Sequence, residues 1–389
     1  MTRSLLLGAV AALAASCAVE PTRIPDFYRA SVPPGTAPGT LLRREPAPPP
    51  AANARAERIV YASIGLDDAP RAVSAVVMFP YGESASGARP VVAWAHPTTG
   101  VAQYCAPSLR EDFYATVQGL PDFLARGFVV VATDYPGLGT QGPHPYLVGV
   151  SEGRAVLDSV RAARYLAEAK AGTRYAVWGH SQGGQAALFA AQLAPAYAPE
   201  LSLVGVATAA PATELATLFG DDIDTPLGRI LSAYTFWSWS RVYGDSTGNI
   251  VAASADVAMD DVASVCAESL LQGLVLSRDA KPLAQAFLTA NPTRVQPWRS
   301  IIAQNTPGRA AVGAPLFFAQ GSADELVRPA VTEAYANSLC RGGDKVRYVS
   351  MPDVPHNPAG KAAAPAAAAW IADRFGNAPA PSDCAVLLR

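Results

Sequence analysis

Serine stands between two glycines, in the pattern G-x-S-x-G, at three places in the chain: Ser151, Ser181 and Ser246. In acyl-transfer enzymes this pattern forms a sharp turn from a strand into a helix, which projects the serine hydroxyl and points the positive end of the helix dipole at the reaction. Only Ser181 follows an apolar strand-like run, RYAVW. It is also followed by the two adjacent glycines Gly183 and Gly184 and then by the alanine-rich helical run QAALFAAQL. These surroundings predict that Ser181 is the nucleophile of a serine hydrolase.

The other two serines have simpler structural interpretations. Ser151 opens the helical pattern SEGRAVLDSV after a loop rich in proline and glycine, so we expect it to cap the amino terminus of a helix. Ser246 lies in a long segment without apolar strands, so we expect it in a polar loop.

A serine hydroxyl needs a neighbouring base, and the base needs an acid that fixes its tautomer. His356 follows the last predicted strand, KVRYVSMP, and Asp324 follows the strand before it, APLFFAQG. The resulting order of serine, aspartate and histidine is that of the α/β-hydrolase fold, so we predict a triad of Ser181, Asp324 and His356. Among nearby carboxylates, Glu325 is next in line for the acid, and Asp353 is expected to form a turn. The other histidines lie within the predicted elbow or after earlier strands, at His96, His144 and His180.

The negative charge that develops on an ester carbonyl oxygen needs two backbone N–H donors. We expect one donor from Gln182, directly after the nucleophile. The second is expected from the loop after the predicted strand PVVAWAH, at Thr98 or Thr99, because Pro97 has no N–H.

The composition suits a large globular fold and an uncharged substrate. Of 389 residues, 50% are hydrophobic and 16% are charged, which is enough for the core of one sizeable domain with or without an insertion. The formal net charge is −2 and no block of Lys or Arg occurs, which argues against nucleic acid or an anionic bilayer surface as the partner. The sequence has no paired histidines at ligand spacing, which argues against a metal hydrolase. We expect no cofactor.

The first 17 residues, MTRSLLLGAVAALAASC, have the layout of a secretory signal peptide, with an apolar run too short to span a membrane. The end of this segment is similar to a bacterial lipobox whose leucine is shifted to Leu13, which predicts lipidation of Cys17 and a membrane tether. The alternatives are cleavage with secretion, which leaves one odd thiol, and a buried helix. Lipidation leaves four cysteines, the even number expected for two disulfides in an oxidising compartment: Cys105, Cys266, Cys340 and Cys384.

Strand and helix patterns divide the rest of the chain. Residues 18–55, rich in proline and alanine, are expected to form an extended tether and N-terminal arm without regular structure. The runs RIVYASIGL and AVSAVVMFP predict an antiparallel pair of strands. The runs PVVAWAH, FVVVATDY and RYAVWG are apolar without alternation, as in parallel strands buried on both faces, and residues 151–170 between the last two have helical spacing. We therefore predict an α/β core in two parts, residues 56–211 and 313–389.

Between these parts, residues 212–312 lack the strand pattern. A structureless loop of that length is uncommon in a compact domain, so we predict a helical cap inserted above the carboxyl ends of the strands, where ligands bind. The cap contains an aromatic cluster that we expect either at the mouth of the site or in the cap's own core: Tyr234, Phe236, Trp237, Trp239 and Tyr243.

Around the predicted triad and oxyanion residues, the chain resembles the secretory lipase family of bacteria and fungi, within the α/β-hydrolase superfamily. The similarity runs from roughly Phe27 to the C-terminus and includes the blocks WAHPTTGVAQYCAPS, GFVVVATDYPGLGT, PYLVGVSEGRAVLDSVRAA, WGHSQGGQAALFAAQLA and QGSADELVRP. The resemblance implies the triad named above, a mostly parallel central sheet, a helical lid over residues 212–312, and hydrolysis of acylglycerols or similar acyl esters.

The resemblance also implies the disulfides Cys105–Cys266 and Cys340–Cys384 and an oxyanion donor near Thr99. One departure concerns Pro97, where relatives with this block generally have glycine after the histidine. The sequence therefore does not decide whether Thr98 or Thr99 provides the second oxyanion donor.

Other functions are less well supported by the residues. The run Gly137-Leu-Gly139-Thr-Gln-Gly142 matches a dinucleotide-binding fingerprint, but the surrounding prolines predict a loop where the fingerprint needs a helix. A peptidase of the same fold would use the same triad, and an inactive lipoprotein of this fold would only bind hydrophobic ligands. The complete triad argues against the inactive lipoprotein, and the family resemblance argues against the peptidase. We therefore expect an exported hydrolase of carboxylic acyl esters, acting as a lipase on acylglycerols or as a carboxylesterase.

Overall fold

The computed structural model describes residues 23–82, 84, 87–309 and 312–389. The predicted signal peptide and the predicted lipidation at Cys17 lie outside these residues.

Within the described residues, one sheet of nine strands forms the centre of the fold: β1 (Leu41–Ala47), β2 (Ala54–Ile64), β3 (Pro70–Pro80), β4 (Arg89–Ala95), β5 (Val129–Thr133), β6 (Ala171–His180), β7 (Ser202–Ala209), β8 (Leu316–Gly321) and β9 (Val346–Met351). Their order across the sheet is β1-β2-β3-β5-β4-β6-β7-β8-β9. The pairs from β1 to β5 along this order are antiparallel, and all later pairs are parallel. The prediction of a mostly parallel sheet is confirmed.

Twelve α-helices occur in the same residues: α1 (Phe113–Thr116), α2 (Leu120–Ala125), α3 (Gly149–Ala163), α4 (Gln182–Tyr197), α5 (Leu215–Asp222), α6 (Pro226–Tyr243), α7 (Asp256–Ala263), α8 (Leu270–Asp279), α9 (Trp298–Gln304), α10 (Pro329–Arg341), α11 (Ala359–Phe375) and α12 (Cys384–Leu387). The helices α5 to α9 all lie between β7 and β8, within residues 212–312.

The apolar strands are buried because helices cover both faces of the sheet. In β4, Val91 and Ala93 pack in one core with α3, α4 and α10, while Val92 and Trp94 pack in a second core with α2 and α11. Side chains alternate between the two faces of a strand, so a strand covered on both faces is apolar at every position. This explains the runs without alternation that mark the parallel strands in the sequence.

The expectation that residues 18–55 have no regular structure is wrong for β1. Residues Leu41–Ala47 pair antiparallel with β2 at the edge of the sheet, and their side chains are half-buried or exposed. An edge strand tolerates proline and polar residues, here Pro46 and the arginines, because one side of its backbone needs no partner. Its composition therefore gives little sign of the pairing.

Two disulfides are present among the described residues. Cys340 in α10 is bonded to Cys384 in α12, 44 residues further on. Cys105, in the loop after β4, is bonded to Cys266 in the insertion, 161 residues away. The second bond joins the insertion covalently to the loop that was expected to contribute an oxyanion donor.

Replacing both Cys340 and Cys384 by serine is expected to lower the free energy of unfolding by about 2–4 kcal/mol, because the unfolded chain is no longer restricted by the cross-link. Urea denaturation of the oxidised wild type and the double variant measures this difference. In excess dithiothreitol, where both proteins lack the bond, the two curves should coincide. Equal stability under oxidising conditions would contradict the prediction.

Candidate active site

The backbone between β6 and α4 turns sharply at Ser181. This residue has φ 56°, in the left-handed region, while β6 ends at His180 and α4 begins at Gln182. A Cβ atom at Gly183 would lie 1.9 Å from the carbonyl oxygen of Ala95, and one at Gly179 would lie 2.1 Å from the carbonyl oxygen of Gly183. Only glycine fits at these two positions, and the strained turn projects the Ser181 side chain at the carboxyl edge of the sheet.

Three side chains from three strand ends meet at this edge. His356, after β9, has its Nε2 atom 2.8 Å from Ser181 Oγ and its Nδ1 atom 2.8 Å from Asp324 Oδ2, after β8. An ionised carboxylate can only accept hydrogen bonds, so Nδ1 donates to Asp324, and the Nε2 lone pair faces the serine hydroxyl. The serine O–H therefore donates to Nε2, which is the arrangement that proton abstraction from Ser181 requires.

Asp324 is itself held in place. Its Oδ1 accepts from the backbone N–H groups of Val327 at 2.8 Å and Leu326 at 3.0 Å, and its Oδ2 accepts from Gln320 Nε2 at 3.1 Å. The carboxylate is buried, and these donors compensate for its lost hydration. Its orientation toward His356 is thus fixed by the loop after β8.

The structure keeps the competing residues away from this arrangement. Ser151 is buried as the third residue of α3, so the expectation that it caps a helix is wrong: α3 begins two residues earlier, at Gly149. Ser246 caps a short 3-10 helix by accepting from the N–H of Gly248. Glu325 is exposed, and Asp353 lies in the turn after β9, where its backbone N–H donates to Ser322 Oγ.

The other three histidines are buried and support loops around the site. The ring of His180 lies 5.4 Å from that of His356, and its Nε2–H donates to the His356 carbonyl oxygen at 3.1 Å. Burial, followed by the nearby His356, lowers the pKa of His180 to about 3, so it stays neutral. Burial likewise lowers the pKa of His96 to about 4 and that of His144 to about 3. The sequence showed their positions but not these structural roles.

Two of the three residues expected to provide oxyanion donors line the cavity beside Ser181. Gln182 and Thr98 line the same cavity as Ser181, whereas Thr99 is not among the lining residues. The backbone N–H groups of Gln182, Thr98 and Thr99 make no hydrogen bonds to other described residues. The loop of these threonines is fastened to the insertion, because the N–H of Ala267 donates to the Thr99 carbonyl oxygen at 2.8 Å and Cys105 is bonded to Cys266.

A cavity of about 70 Å³ opens next to Ser181, between the sheet edge and the insertion. One buried carboxylate, Asp222, faces it; burial raises the pKa of Asp222 to about 6, and Arg328, 3.4 Å away, opposes this rise. The apolar part of the wall comes from α5 and the loop before it, from α6, from the loop after β8 and from the loop before α3: Leu147, Ala212, Leu215, Leu218, Phe219, Leu231, Leu326 and Val327.

The aromatic cluster of the insertion is not part of this wall. None of its five side chains lines the cavity; they form or flank the insertion's own core with residues such as Phe287 and Trp298. Four of them also make side-chain hydrogen bonds, among them those from Trp239 Nε1 to the Tyr146 carbonyl oxygen and from the Tyr234 hydroxyl to the Val265 carbonyl oxygen. The expectation that these residues lie at the mouth of the site is therefore wrong, and the alternative, a place in the insertion's own core, holds.

The glycine run that matches a dinucleotide fingerprint lies in a loop. No helix begins at residues 137–142, and α3 starts only at Gly149. A Cβ atom at Gly137 would lie 2.5 Å from the backbone nitrogen of His144, so this glycine permits a close approach of two loop segments. In the part of the chain that the structure describes, no group of three or more His, Cys, Asp or Glu side chains could hold a metal ion.

Comparison with known proteins gives consistent relatives. The sequence model of the family described as "Secretory lipase" matches residues 115–383. Lipase 5 and Lipase 10 of Candida albicans are 28% and 26% identical to this chain over 72% and 75% of its length. The aligned part spans 64% and 65% of these two relatives, so the chain covers somewhat less than two thirds of each.

Solved structures share the same architecture. The X-ray structure of Candida antarctica lipase A has a TM-score of 0.76 at 20% sequence identity, covering 94% of each chain. The rice cell wall degrading esterase LipA from Xanthomonas oryzae has a TM-score of 0.67 at 21% identity, covering 91% of this chain and 97% of its own. At these identities the likeness concerns the fold.

Proposed function

The chain belongs to the secretory lipase family and has the α/β-hydrolase fold, and from this premise we propose that it is an exported serine hydrolase of carboxylic acyl esters, including acylglycerols. One observation carries the proposal: an unbroken series of hydrogen bonds runs from Asp324 through His356 to Ser181, next to an apolar cavity. Sequence relatives described as lipases support the same reaction class.

In the first half of the reaction, Ser181 Oγ attacks the ester carbonyl carbon while His356 Nε2 takes the hydroxyl proton. The negative charge on the carbonyl oxygen is stabilised by the backbone N–H of Gln182 and by that of Thr98 or Thr99. His356 then gives its proton to the departing alkoxide oxygen, the ester C–O bond breaks, and the acyl group stays on Ser181. Throughout, Asp324 stabilises the imidazolium form of His356.

In the second half, a water molecule takes the place of the alcohol. His356 removes one proton from this water, the resulting hydroxide attacks the acyl carbonyl carbon, and the bond to Ser181 Oγ breaks. His356 returns the proton to Ser181, and the carboxylic acid leaves. The balance is one ester and one water consumed for one acid and one alcohol, so no cofactor is needed.

The substrate class follows from the surroundings of Ser181. An apolar wall binds an acyl chain through burial of its methylene groups, at about 0.8 kcal/mol for each CH₂. Export agrees with the family, and a tether through lipidated Cys17 is part of this proposal. Within the described residues, no helix combines the length and apolar character needed to cross a bilayer.

A panel of substrates tests the proposed reaction. The purified protein is assayed on p-nitrophenyl esters from acetate to palmitate, on tributyrin, and on an aminoacyl p-nitroanilide, with Ser181→Ala as the blank. We expect ester hydrolysis that depends on Ser181 and little cleavage of the anilide. Faster cleavage of the anilide would identify a peptidase, and binding of the esters without turnover would identify a ligand-binding protein.

The size of the cavity predicts the chain-length profile. The cavity has a volume of about 70 Å³, so it buries a short stretch of an acyl chain. We expect kcat/KM to rise by about fourfold per CH₂ up to this length and then to level off or fall. Leu231→Ala enlarges the cavity and should move the maximum of kcat/KM toward longer acyl chains. The matched variant Leu276→Ala lies in the insertion's core, outside the wall, and should lower stability while keeping the profile.

A further inference from the structure

A fully buried carboxyl group lies behind the nucleophile and has no part in the mechanism above. Glu152 is in the first turn of α3, and its side chain is shielded from solvent. Its Oε1 atom accepts hydrogen bonds from Gln182 Nε2 at 2.7 Å and from the backbone N–H of Leu147 at 2.9 Å. Both partners line the cavity next to Ser181. Glu152 thus contacts two walls of the site without touching the space that a substrate occupies.

The side chain of Gln182 is held from two sides. Its Nε2 atom lies 2.7 Å from Glu152 Oε1 and 3.3 Å from His144 Nε2. His144 Nδ1 lies 2.9 Å from the Pro136 carbonyl oxygen, so Nδ1 carries the hydrogen and Nε2 accepts. Both hydrogens of the Gln182 amide are therefore used, one for Glu152 and one for His144. The amide oxygen has no partner among the described residues, so these two bonds alone fix the side chain.

Gln182 also carries the backbone N–H that directly follows the nucleophile. A donor stabilises an oxyanion only when it is held at the position where the charge develops. Leu147 has φ 54°, a conformation that a leucine seldom adopts, and the bond from its N–H to Glu152 opposes relaxation of that backbone. The carboxyl group of Glu152 thus holds both Gln182, which carries an expected oxyanion donor, and Leu147, a strained residue of the cavity wall.

We propose that Glu152 is a positioning residue of the esterase site, which acts through Gln182 and Leu147. The proposal rests on the proposed function above and adds a residue to it. A buried carboxyl group is unfavourable unless it is well paired, and its Oε2 atom has no partner among the described residues. An apolar side chain would avoid this cost, but it could not accept the two hydrogen bonds.

The charge of Glu152 changes within the range in which esterases are assayed. Burial raises the pKa of Glu152 to about 8, although its bonds to Gln182 and Leu147 oppose the rise. The titratable groups facing it are His144, Tyr135 and Tyr146. Burial holds the pKa of His144 near 3 and raises the pKa of both tyrosines, so these three groups stay neutral.

Ionisation of Glu152 should lower kcat. Below pH 8 the carboxyl group is mostly neutral. Above pH 8 it is an anion in contact with the side chain of Gln182, whose backbone N–H must stabilise a second negative charge. The kcat of the wild type should therefore fall as the pH rises through about 8.

Two variants test the proposal on the full-length protein with p-nitrophenyl butyrate. Glu152→Ala removes the acceptor and should lower kcat by about 10–100-fold, which is less than loss of a whole oxyanion donor, with KM changed by less than about threefold. Glu152→Gln keeps an acceptor and cannot ionise, so it should restore kcat at pH 7 to within about threefold of the wild type. Its kcat should also stay level where that of the wild type falls. Should the alanine variant fail to fold, the alkaline profile of Glu152→Gln still decides.

The matched control is Asp158→Asn on the same helix. Asp158 is equally buried, and its carboxylate accepts from Ser63 Oγ, the Tyr197 hydroxyl and Arg161 Nη1, away from the cavity. This variant should lose stability but keep the wild-type pH profile of kcat. The proposal is overturned if Glu152→Gln has the same alkaline fall as the wild type. Failure of the proposed function is a different result, namely no esterase activity or activity that survives Ser181→Ala.

Discussion

Replacing Ser181 by alanine is expected to lower the turnover of p-nitrophenyl esters by about 10⁴–10⁶-fold, since the remaining histidine and aspartate have no hydroxyl to activate. The measurement is kcat of the purified variant before and after treatment with a fluorophosphonate, which inactivates any trace of wild-type enzyme. Circular dichroism shows whether the fold is retained. A small residual rate is expected, because the cavity and the oxyanion donors still orient an ester toward water.

The other two serines of the same pattern provide the controls. Ser151 is buried in α3 and Ser246 caps a 3-10 helix, so alanine at either position should leave most of the activity. A fluorophosphonate probe should label Ser181 in the wild type and nothing in Ser181→Ala. Labelling of Ser151 or Ser246 would show that the nucleophile has been assigned to the wrong turn.

Replacing Asp324 by asparagine is expected to lower kcat by about 10⁴-fold while the protein stays folded. The amide keeps an oxygen that can accept from the N–H groups of Leu326 and Val327, but its NH₂ donates to His356 Nδ1. The imidazole then adopts the tautomer that has its hydrogen on Nε2, facing Ser181, where it cannot remove a proton. The effect should appear in kcat, with little change in KM.

Glu325→Gln is the matched control for this prediction. It makes the same chemical change one residue further along the loop, at an exposed side chain. We expect its kcat to stay within about twofold of the wild type, since exposed substitutions away from the site have small effects. If Glu325→Gln were the more damaging of the two variants, the acid of the triad would be Glu325.

The geometry of parallel sheets explains why the arrangement of Ser181, Asp324 and His356 could be predicted. Each of them follows the carboxyl end of a strand, and the corresponding strands β6, β8 and β9 all run in the same direction. Recognising the strands by their apolar runs is therefore enough to bring the three residues to one edge. The mostly parallel sheet was predicted on the same basis and the family from the resemblance of several sequence blocks, and both predictions are confirmed.

Features that depend on long-range packing were harder to predict. The edge strand β1 is half-exposed, so its residues lack the apolar run that marks a buried strand. The aromatic side chains around Trp239 suit either a cavity wall or a small core, and only the packing of α6 against the other helices of the insertion decides between them. Glu152 resembles any polar residue of a helix, because its partner Gln182 is 30 positions away in the sequence.

The insertion between β7 and β8 has a consequence for the order in which the protein becomes active. Ser181 and His356 are 175 residues apart in the chain, with the whole insertion between them. At a synthesis rate of about 5–20 residues per second, the nucleophile is made roughly 9–35 seconds before its base. In the finished sheet, β8 and β9 lie beyond β7 at one edge. A nascent chain therefore cannot hydrolyse an ester until its last strands have been made and added to the sheet.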